Sequence, residues 1–187
     1  MKKIGVLFLL LLLHFTGWAQ NAGLTDLCRK VLERHVGNNK DISMETSALE
    51  ETSRPLFVTL KKGNRTRGCA GTMQPFSSTL SEELAYFTIN AATRDFRYPP
   101  ISPYELKDIV IVLTFPGELR AIKSLTEYNP WKHGLLIKKE GKQGVILPCE
   151  GKTSSYAVKK AMAQAGIDNI ENADICIFDC ETIMEIR

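Results

Sequence analysis

Apolar and polar residues recur with two different periods along this chain, and together they predict an α+β fold. Two pairs of strand-like stretches are separated by turn residues: LFVTLKK and RTRGCAGT by Gly63 and Asn64, and the two halves of HGLLIKKEGKQGVILP by a glycine-rich turn. DIVIVLTF is apolar on both faces, as expected of a central strand. We therefore predict an antiparallel sheet flanked by helices, and two hairpins.

Other segments carry apolar residues at helical spacing, and these predict helices over residues 25–36, 80–92 and 154–165. Thr79 and Glu82 form a capping box for the second helix, Thr25 is the predicted cap of the first, and Gly166 ends the third. DICIFDCETIMEI predicts a final strand over residues 175–186.

The first 19 residues have the pattern of a secretory signal peptide. Lys2 and Lys3 precede an apolar run, and small residues stand at Gly17 and Ala19, just before a plausible cleavage point. The apolar run is shorter than the roughly 20 residues that a membrane span requires. We expect residues 20–187 to form one domain, exported to the periplasm or the cell exterior and not held in a membrane after cleavage.

Charge excludes one class of partner. The whole chain carries a formal charge of +3, and removal of the signal would leave 22 Lys and Arg against 21 Asp and Glu. A nearly neutral domain lacks the positive charge that non-specific nucleic-acid binding needs, so we predict no nucleic-acid partner.

Five cysteines follow the signal, an odd number, so one at least is not paired within the chain. Cys176 and Cys180 lie four residues apart in a predicted strand, about 13 Å, which is beyond disulfide reach, and both are expected in the core. Cys28 lies in the apolar stripe of the first helix. Cys69 and Cys149 remain as candidates for chemistry.

The strongest chemical signal surrounds Cys69. Gly68 and Gly71 flank it and let a ligand approach the backbone closely, and successive amides there could form an anion-binding turn, so we expect an RGCAG loop. Arg67 is adjacent, and a proline-rich segment supplies Arg94, Asp95 and Arg97. Arginines near a thiol would lower its pKa and attract a carboxylate or phosphate, with Asp95 orienting one of them. The alternative is that these arginines form ordinary surface charges or structural salt bridges.

His133 is the other candidate catalytic residue, because it precedes the second hairpin. Paired with Cys69 it would supply the base that a nucleophilic thiol needs. Equally, it could cap the hairpin through a backbone hydrogen bond. A metal site made of Cys69, Cys149 and His133 is a weaker alternative, since no metal-binding spacing such as CxxC is present, and we predict no cofactor.

In order and spacing, several motifs together resemble those of the AMMECR family, whose bacterial members are called AmmeMemoRadiSam system protein A. They are RGCAG with Thr72 and Pro75, NAATRDFRYPP, the strand that opens on Asp108 and Ile109, and the HGL and LP of the second hairpin. The resemblance covers roughly residues 24–187 and implies one domain with a larger and a smaller lobe. It also implies Memo-like and radical SAM proteins as partners. Family members commonly have glutamine where this chain has Cys149, and other residues where it has Thr66 and Ala70.

Two functions follow from these observations. We expect a module that binds a small anion or a partner protein around Cys69, and the alternative is a thiol-dependent enzyme that uses Cys69 with His133 on a small anionic substrate. If both hairpins belonged to one sheet, Cys149 and Cys69 could meet at its edge and form a reversible disulfide in an oxidising compartment. If their Cα atoms lie more than ~7 Å apart, Cys149 is an ordinary substitution.

Overall fold

The computed structural model describes residues 23–39 and 52–186 of the 187-residue chain. They form two compact units, one of residues 23–39, 52–114 and 182–186, the other of residues 115–181. The predicted α+β class is confirmed, since the strands form antiparallel sheets accompanied by helices. The predicted signal segment lies outside the described residues. Within the described ranges, no helix is both long and apolar enough to cross a membrane.

In chain order the main elements are α1 over residues 23–35, β1 Leu56–Lys62, β2 Arg65–Thr72, α2 Leu80–Thr93, β3 Ile109–Pro116, β4 Arg120–Ala121, β5 Gly134–Lys139, β6 Lys142–Ile146, α3 Ser154–Ala165, β7 Asp174–Phe178 and β8 Cys180–Met184.

The sheet of the first unit has the strand order β2-β1-β3-β8. β1 pairs antiparallel with both β2 and β3, which confirms the first hairpin and the interior position of β3. α2 packs against β1 and β2. It begins at the predicted cap, where the Thr79 side chain accepts a hydrogen bond from the backbone N–H of Glu82. Thr25 is not the cap of α1, because the helix is already formed at residue 23 and Thr25 is buried within it.

A buried ion pair joins the first helix to the end of the described chain. The Arg29 guanidinium donates two hydrogen bonds to the Glu185 carboxylate, at 2.7 and 2.6 Å. It also donates to the backbone carbonyls of Leu106 and Ile109. Glu185 accepts from the backbone N–H of Ile111 as well. The charge is therefore compensated and hydrogen-bonded on both sides, the condition under which a buried charge is tolerated.

The second unit has its own sheet, in the order β4-β7-β5-β6, which confirms the second hairpin. Helix α3 packs on β5 and β6, and Gly144 permits the contact, since a Cβ there would lie 2.0 Å from the Ala161 carbonyl oxygen. Gly166 ends α3 in the left-handed conformation, with φ 63°, as predicted. The core of this unit is formed by Tyr128, Leu135, Ile137, Ile146, Ala157, Val158, Ala161, Ile167 and Ile177.

One prediction about strand arrangement is wrong. The predicted final strand is divided into β7 and β8, which lie in different sheets and are separated by the exposed Asp179. The two hairpins also belong to different sheets, a point that the sequence left open. Alternation of side chains identifies a strand but does not specify its neighbours. Cys28 is fully buried as expected, whereas Cys176 and Cys180 are only half-buried.

Candidate functional site

The RGCAG motif lies inside strand β2, which confirms RTRGCAGT as a strand of the first hairpin. It does not form a loop, and the strand does not end at Cys69 but continues to Thr72. Neither Gly68 nor Gly71 has a positive φ, so the predicted anion-binding turn of amides is not formed. Both glycines are required by packing instead. A Cβ at Gly68 would lie 2.0 Å from the carbonyl oxygen of Ala91 in α2, and one at Gly71 would meet the ring of Phe57. Close approach of a ligand to these glycines stays a prediction.

Cys69 is held through both its backbone and its thiol. It pairs with Thr59 across the hairpin, and the Thr59 hydroxyl donates a hydrogen bond to Cys69 Sγ at 3.4 Å. Its backbone N–H donates to Asp95 Oδ2 at 2.8 Å. The side chain is half-buried. The cysteine thus joins strand β2 to the segment that follows helix α2.

Asp95 accepts hydrogen bonds from several groups around it. Its carboxylate also accepts two hydrogen bonds from the Arg97 guanidinium, at 2.8 and 2.6 Å, and a third from the Arg97 backbone N–H. Burial acts to raise the pKa of Asp95, but the hydrogen bonds from Arg97 and Cys69 outweigh it, and the pKa is lowered. The Arg97 guanidinium also lies over the Tyr98 ring, 5.5 Å from its centre. Asp95 orients Arg97, the arrangement that the sequence suggested.

Arg67 forms the second anchor of the same segment. Its guanidinium donates to both carboxylate oxygens of Glu105, at 3.0 and 3.1 Å, and to the carbonyls of Pro99 and Pro100. Hydrogen bonds from Arg67 and from the Ser102 backbone lower the pKa of Glu105 to about 2. Arg67 is therefore committed to a structural salt bridge, which was the alternative left open by the sequence.

These anchors fix the segment of residues 94–105, here called the arginine-proline loop, whose last three residues begin a 3-10 helix over Pro103–Asp108. The N–H of Ile101, whose side chain is buried, donates to the carbonyl of Ala92. The loop nevertheless exposes large aromatic side chains: Phe96 is 90% exposed and Tyr104 88%. Arg94 is exposed as well. A rigidly held loop with outward aromatic residues can form the centre of a binding surface.

His133 and Cys149 belong to the second unit, whereas Cys69, Asp95 and the three arginines belong to the first. The His133 backbone N–H donates to the Asn129 carbonyl, and its Nδ1 accepts from the Asn129 N–H at 3.2 Å. Its Nε2 lies 3.9 Å from Asp179 Oδ1. This geometry supplies the hairpin-capping role that the sequence offered for His133. A catalytic pairing with Cys69 stays a prediction.

Cys149 is exposed and has φ 65°, an uncommon value for a residue other than glycine. Its N–H donates to the Pro130 carbonyl and its thiol to the Trp131 carbonyl at 3.4 Å. The condition under which Cys149 would meet Cys69 at one sheet edge is not met, because the hairpins lie in different sheets, and a redox role for Cys149 stays a prediction. The described cysteines form no disulfide with one another. Across the described ranges, no three His, Cys, Asp or Glu side chains are grouped so that they could hold a metal ion.

Known proteins identify the family of this chain. A family model described as AMMECR1 matches residues 25–183. The chain belongs to the AMMECR1 family. It is 35% identical over 144 residues to a Thermotoga maritima protein, an alignment that covers 74% of this chain and 83% of the relative. A Methanosarcina mazei protein is 37% identical over 132 residues, covering 65% and 66%. Protein CA_C1420 of Clostridium acetobutylicum is 31% identical, but the alignment covers only 28% of its length.

Among solved structures, the uncharacterized protein PH0010 from Pyrococcus horikoshii is similar, with a TM-score of 0.73 over 88% of this chain and 90% of that one. At 22% identity this likeness shows a shared fold and nothing about activity.

In this AMMECR1-family chain, sequence reasoning missed three parts of the arrangement around Cys69. The sequence pattern places Thr59 only in a strand and gives Glu105 no role at the site. Phe96 was not singled out, although an aromatic residue between charged neighbours in a proline-rich segment is a signal of exposure that could have identified it.

Proposed function

We propose that this chain is an exported AMMECR1-family module that binds a partner protein through the arginine-proline loop. One observation carries the proposal: the loop is anchored by buried or half-buried contacts at Cys69 and Arg67, yet it directs Phe96 and Tyr104 into solvent. Exposed aromatic residues on a pre-ordered segment lose little entropy on binding and are typical anchors of interfaces.

The arginines favour a protein partner over a small free anion. Arg67 and Arg97 each make two hydrogen bonds to a carboxylate of the chain itself, Glu105 and Asp95. A small anion would have to displace those carboxylates, and an internal carboxylate held in place has a large entropic advantage over a free one. Arg94, which is exposed, is better placed to contact a charged residue of a partner.

In this proposal Cys69 holds the loop in position and takes no part in a reaction. Its backbone N–H anchors Asp95, and its sulfur accepts the Thr59 hydroxyl. A serine could accept the same hydrogen bond, so Cys69→Ser should keep both the fold and partner binding. Thiol catalysis by Cys69 with His133 remains the alternative, and the reactivity of the thiol distinguishes it.

The resemblance to AmmeMemoRadiSam proteins supplies the first partners to test, a Memo-like protein and a radical SAM protein of the same organism. Export of this chain requires that such a partner be exported too. The double variant Phe96→Ala/Tyr104→Ala is compared with Tyr156→Ala, which removes an exposed aromatic side chain from helix α3.

Binding of the purified full chain to each partner is measured by interferometry. We expect the double variant to weaken binding by about tenfold or more and the α3 control to change it by less than about twofold. Equal binding by the double variant and the wild type, or no binding to either partner, would refute the proposal.

A further inference from the structure

A turn in the second unit holds the exposed Cys149 and depends on a histidine. The turn covers residues 129–133, Asn-Pro-Trp-Lys-His, and ends where β5 starts. We infer that this turn is a pH-sensitive switch: protonation of His133 breaks a hydrogen bond inside the turn and releases Cys149 from it. The inference concerns the second unit by itself and does not depend on the proposed function of the arginine-proline loop.

Hydrogen bonds between its two ends close the turn. The Asn129 carbonyl accepts from the backbone N–H groups of Lys132 and His133, at 3.0 and 2.8 Å. The Asn129 side chain accepts from the Trp131 N–H at 3.0 Å, and the Asn129 N–H donates to His133 Nδ1 at 3.2 Å. Each end of the turn thus satisfies backbone groups of the turn with a side chain, the reciprocal arrangement of a helix capping box.

The hydrogen bond to Nδ1 requires the neutral form of His133. A ring nitrogen that accepts a hydrogen bond carries no proton, so the neutral imidazole carries its proton on Nε2. Protonation adds a hydrogen to Nδ1, and both ring nitrogens are then donors. Two donors would face each other across 3.2 Å, and the Asn129 N–H would lose its acceptor. The bond inside the turn therefore cannot survive protonation of the ring.

The charged groups near the ring do not remove this conflict. Asp179, between β7 and β8, lies 3.9 Å from Nε2, which carries a proton in either state of the ring, and it offers no acceptor to Nδ1. In the part of the chain that the structure describes, it is the carboxylate within ion-pair distance of His133. Glu150 is paired with Lys160 at 3.5 Å, and Lys132 is exposed.

Two carbonyls of the turn hold Cys149 in an uncommon conformation. The Pro130 carbonyl accepts from the Cys149 N–H at 2.8 Å, and the Trp131 carbonyl accepts from the Cys149 thiol at 3.4 Å. Cys149 has φ 65°, which a residue other than glycine keeps only where its surroundings hold it. When the turn opens, both contacts are lost, and the Cys149 thiol becomes more accessible to reagents.

The first measurement follows the turn itself. The full chain contains two tryptophans, Trp18 and Trp131, so labelling with 5-fluorotryptophan gives two fluorine NMR signals, and Trp131→Phe identifies the one from the turn. We expect this signal to shift in one transition between pH 8 and pH 5, the range in which histidine is suited to change its charge. His35→Gln, which removes the exposed histidine of α1, should leave the transition unchanged.

Two variants test which nitrogen of the ring is responsible. The Oδ1 of asparagine, like the Nδ1 of histidine, is bonded to Cγ, so His133→Asn keeps an acceptor for the Asn129 N–H that acid does not remove. The Trp131 signal of this variant should therefore stay at its pH 8 position down to pH 5. Asp179→Asn should retain the transition, because the conflict lies at Nδ1 and Asp179 lies near Nε2.

Alkylation of Cys149 gives a second measurement that needs no variant to fold. The rate with iodoacetamide in the folded chain is divided by the rate in the urea-unfolded chain at the same pH, which corrects for ionisation of the thiol. We expect this ratio to rise about fivefold from pH 8 to pH 5, the factor that corresponds to the loss of one hydrogen bond. A wild-type Trp131 signal without a transition, the same transition in His133→Asn, or a constant Cys149 ratio overturns the inference.

Discussion

The backbone N–H of Cys69 donates a hydrogen bond to the carboxylate of Asp95, 26 residues later in the chain, over 2.8 Å. The cysteine thiol takes no part in this contact, since any residue except proline would supply the same donor. Residue 69 therefore makes two separate contacts: its backbone N–H donates to Asp95, and its side chain accepts a hydrogen bond from the Thr59 hydroxyl. Variants of Asp95 test the backbone contact without changing the thiol.

Asp95→Ala should lower the free energy of unfolding by about 2 kcal/mol, because the Arg97 guanidinium and the Cys69 N–H both lose the buried carboxylate that accepts their hydrogen bonds. Asp95→Asn keeps one acceptor oxygen and should cost less. Urea unfolding followed by circular dichroism measures both. Asp174→Ala removes an exposed aspartate and serves as control. A loss no larger than that of the control would show that Asp95 does not anchor the loop.

Gly68→Ala should destabilise the protein by about 1–3 kcal/mol, because the new Cβ would meet the Ala91 carbonyl oxygen at 2.0 Å and force β2 away from α2. Gly23→Ala is the matched control. A Cβ at Gly23 meets nothing within 4 Å, and alanine favours the helix there. Thermal unfolding of both variants measures the difference. Equal midpoints for the two would contradict the packing explanation.

Acid should weaken the salt bridge between Arg67 and Glu105 over a defined pH range. The pKa of Glu105 is lowered to about 2 from an ordinary value of 4.5, so its contribution is complete above about pH 4.5 and is lost as the pH falls towards 2. Glu105→Gln should therefore flatten the pH dependence of the unfolding midpoint in that range. At pH 7 the variant should cost about 1 kcal/mol or less, since Glu105 retains contact with solvent. An unchanged acid slope in Glu105→Gln would disprove the assignment.

The cysteines should react with iodoacetamide in a fixed order. Cys149 is exposed and should be modified first. Burial raises the pKa of Cys28 to about 12, and burial with the nearby Asp179 raises that of Cys180 to about 12, so at pH 8 both should react at least about a hundredfold more slowly. Mass spectrometry of peptides over time gives each rate, and Cys149→Ser should remove the fast phase.

The same experiment decides between the two functions proposed for Cys69. A binding module predicts that Cys69 reacts more slowly than Cys149, because its side chain is half-buried. Modification of Cys69 faster than Cys149 near neutral pH would instead favour an activated thiol and the enzyme alternative.

The sequence correctly predicted those features of the fold that depend on residues close together in the chain. The β1-β2 hairpin follows from alternation and its turn residues, and the start of α2 from Thr79 and Glu82. Each depends on residues a few positions apart, whose interaction is visible in sequence.

Long-range partners were beyond sequence reasoning. Arg67 pairs with Glu105, 38 residues away, and nothing in the sequence singles out that carboxylate. The pairing of Arg97 with Asp95, two residues earlier, is local, and the sequence did suggest that Asp95 orients an arginine. The sequence offers many carboxylates to each arginine, and only the packing of strand against loop selects one. The role of Gly68 could not be predicted for the same reason. A glycine suits either a turn or a close contact with a helix, and the choice depends on where α2 lies.

The Arg29 ion pair has a consequence for the order in which the protein is completed. Its carboxylate partner, Glu185, is synthesised 156 residues later. A chain emerging from the ribosome from its N-terminus therefore carries α1 with an uncompensated guanidinium until Glu185 has been made, and burying that charge alone is strongly unfavourable. Strand β8 joins the same sheet equally late, so the first unit is incomplete until then. If the chain is exported as we propose, this delay would favour its transport before the first unit has folded.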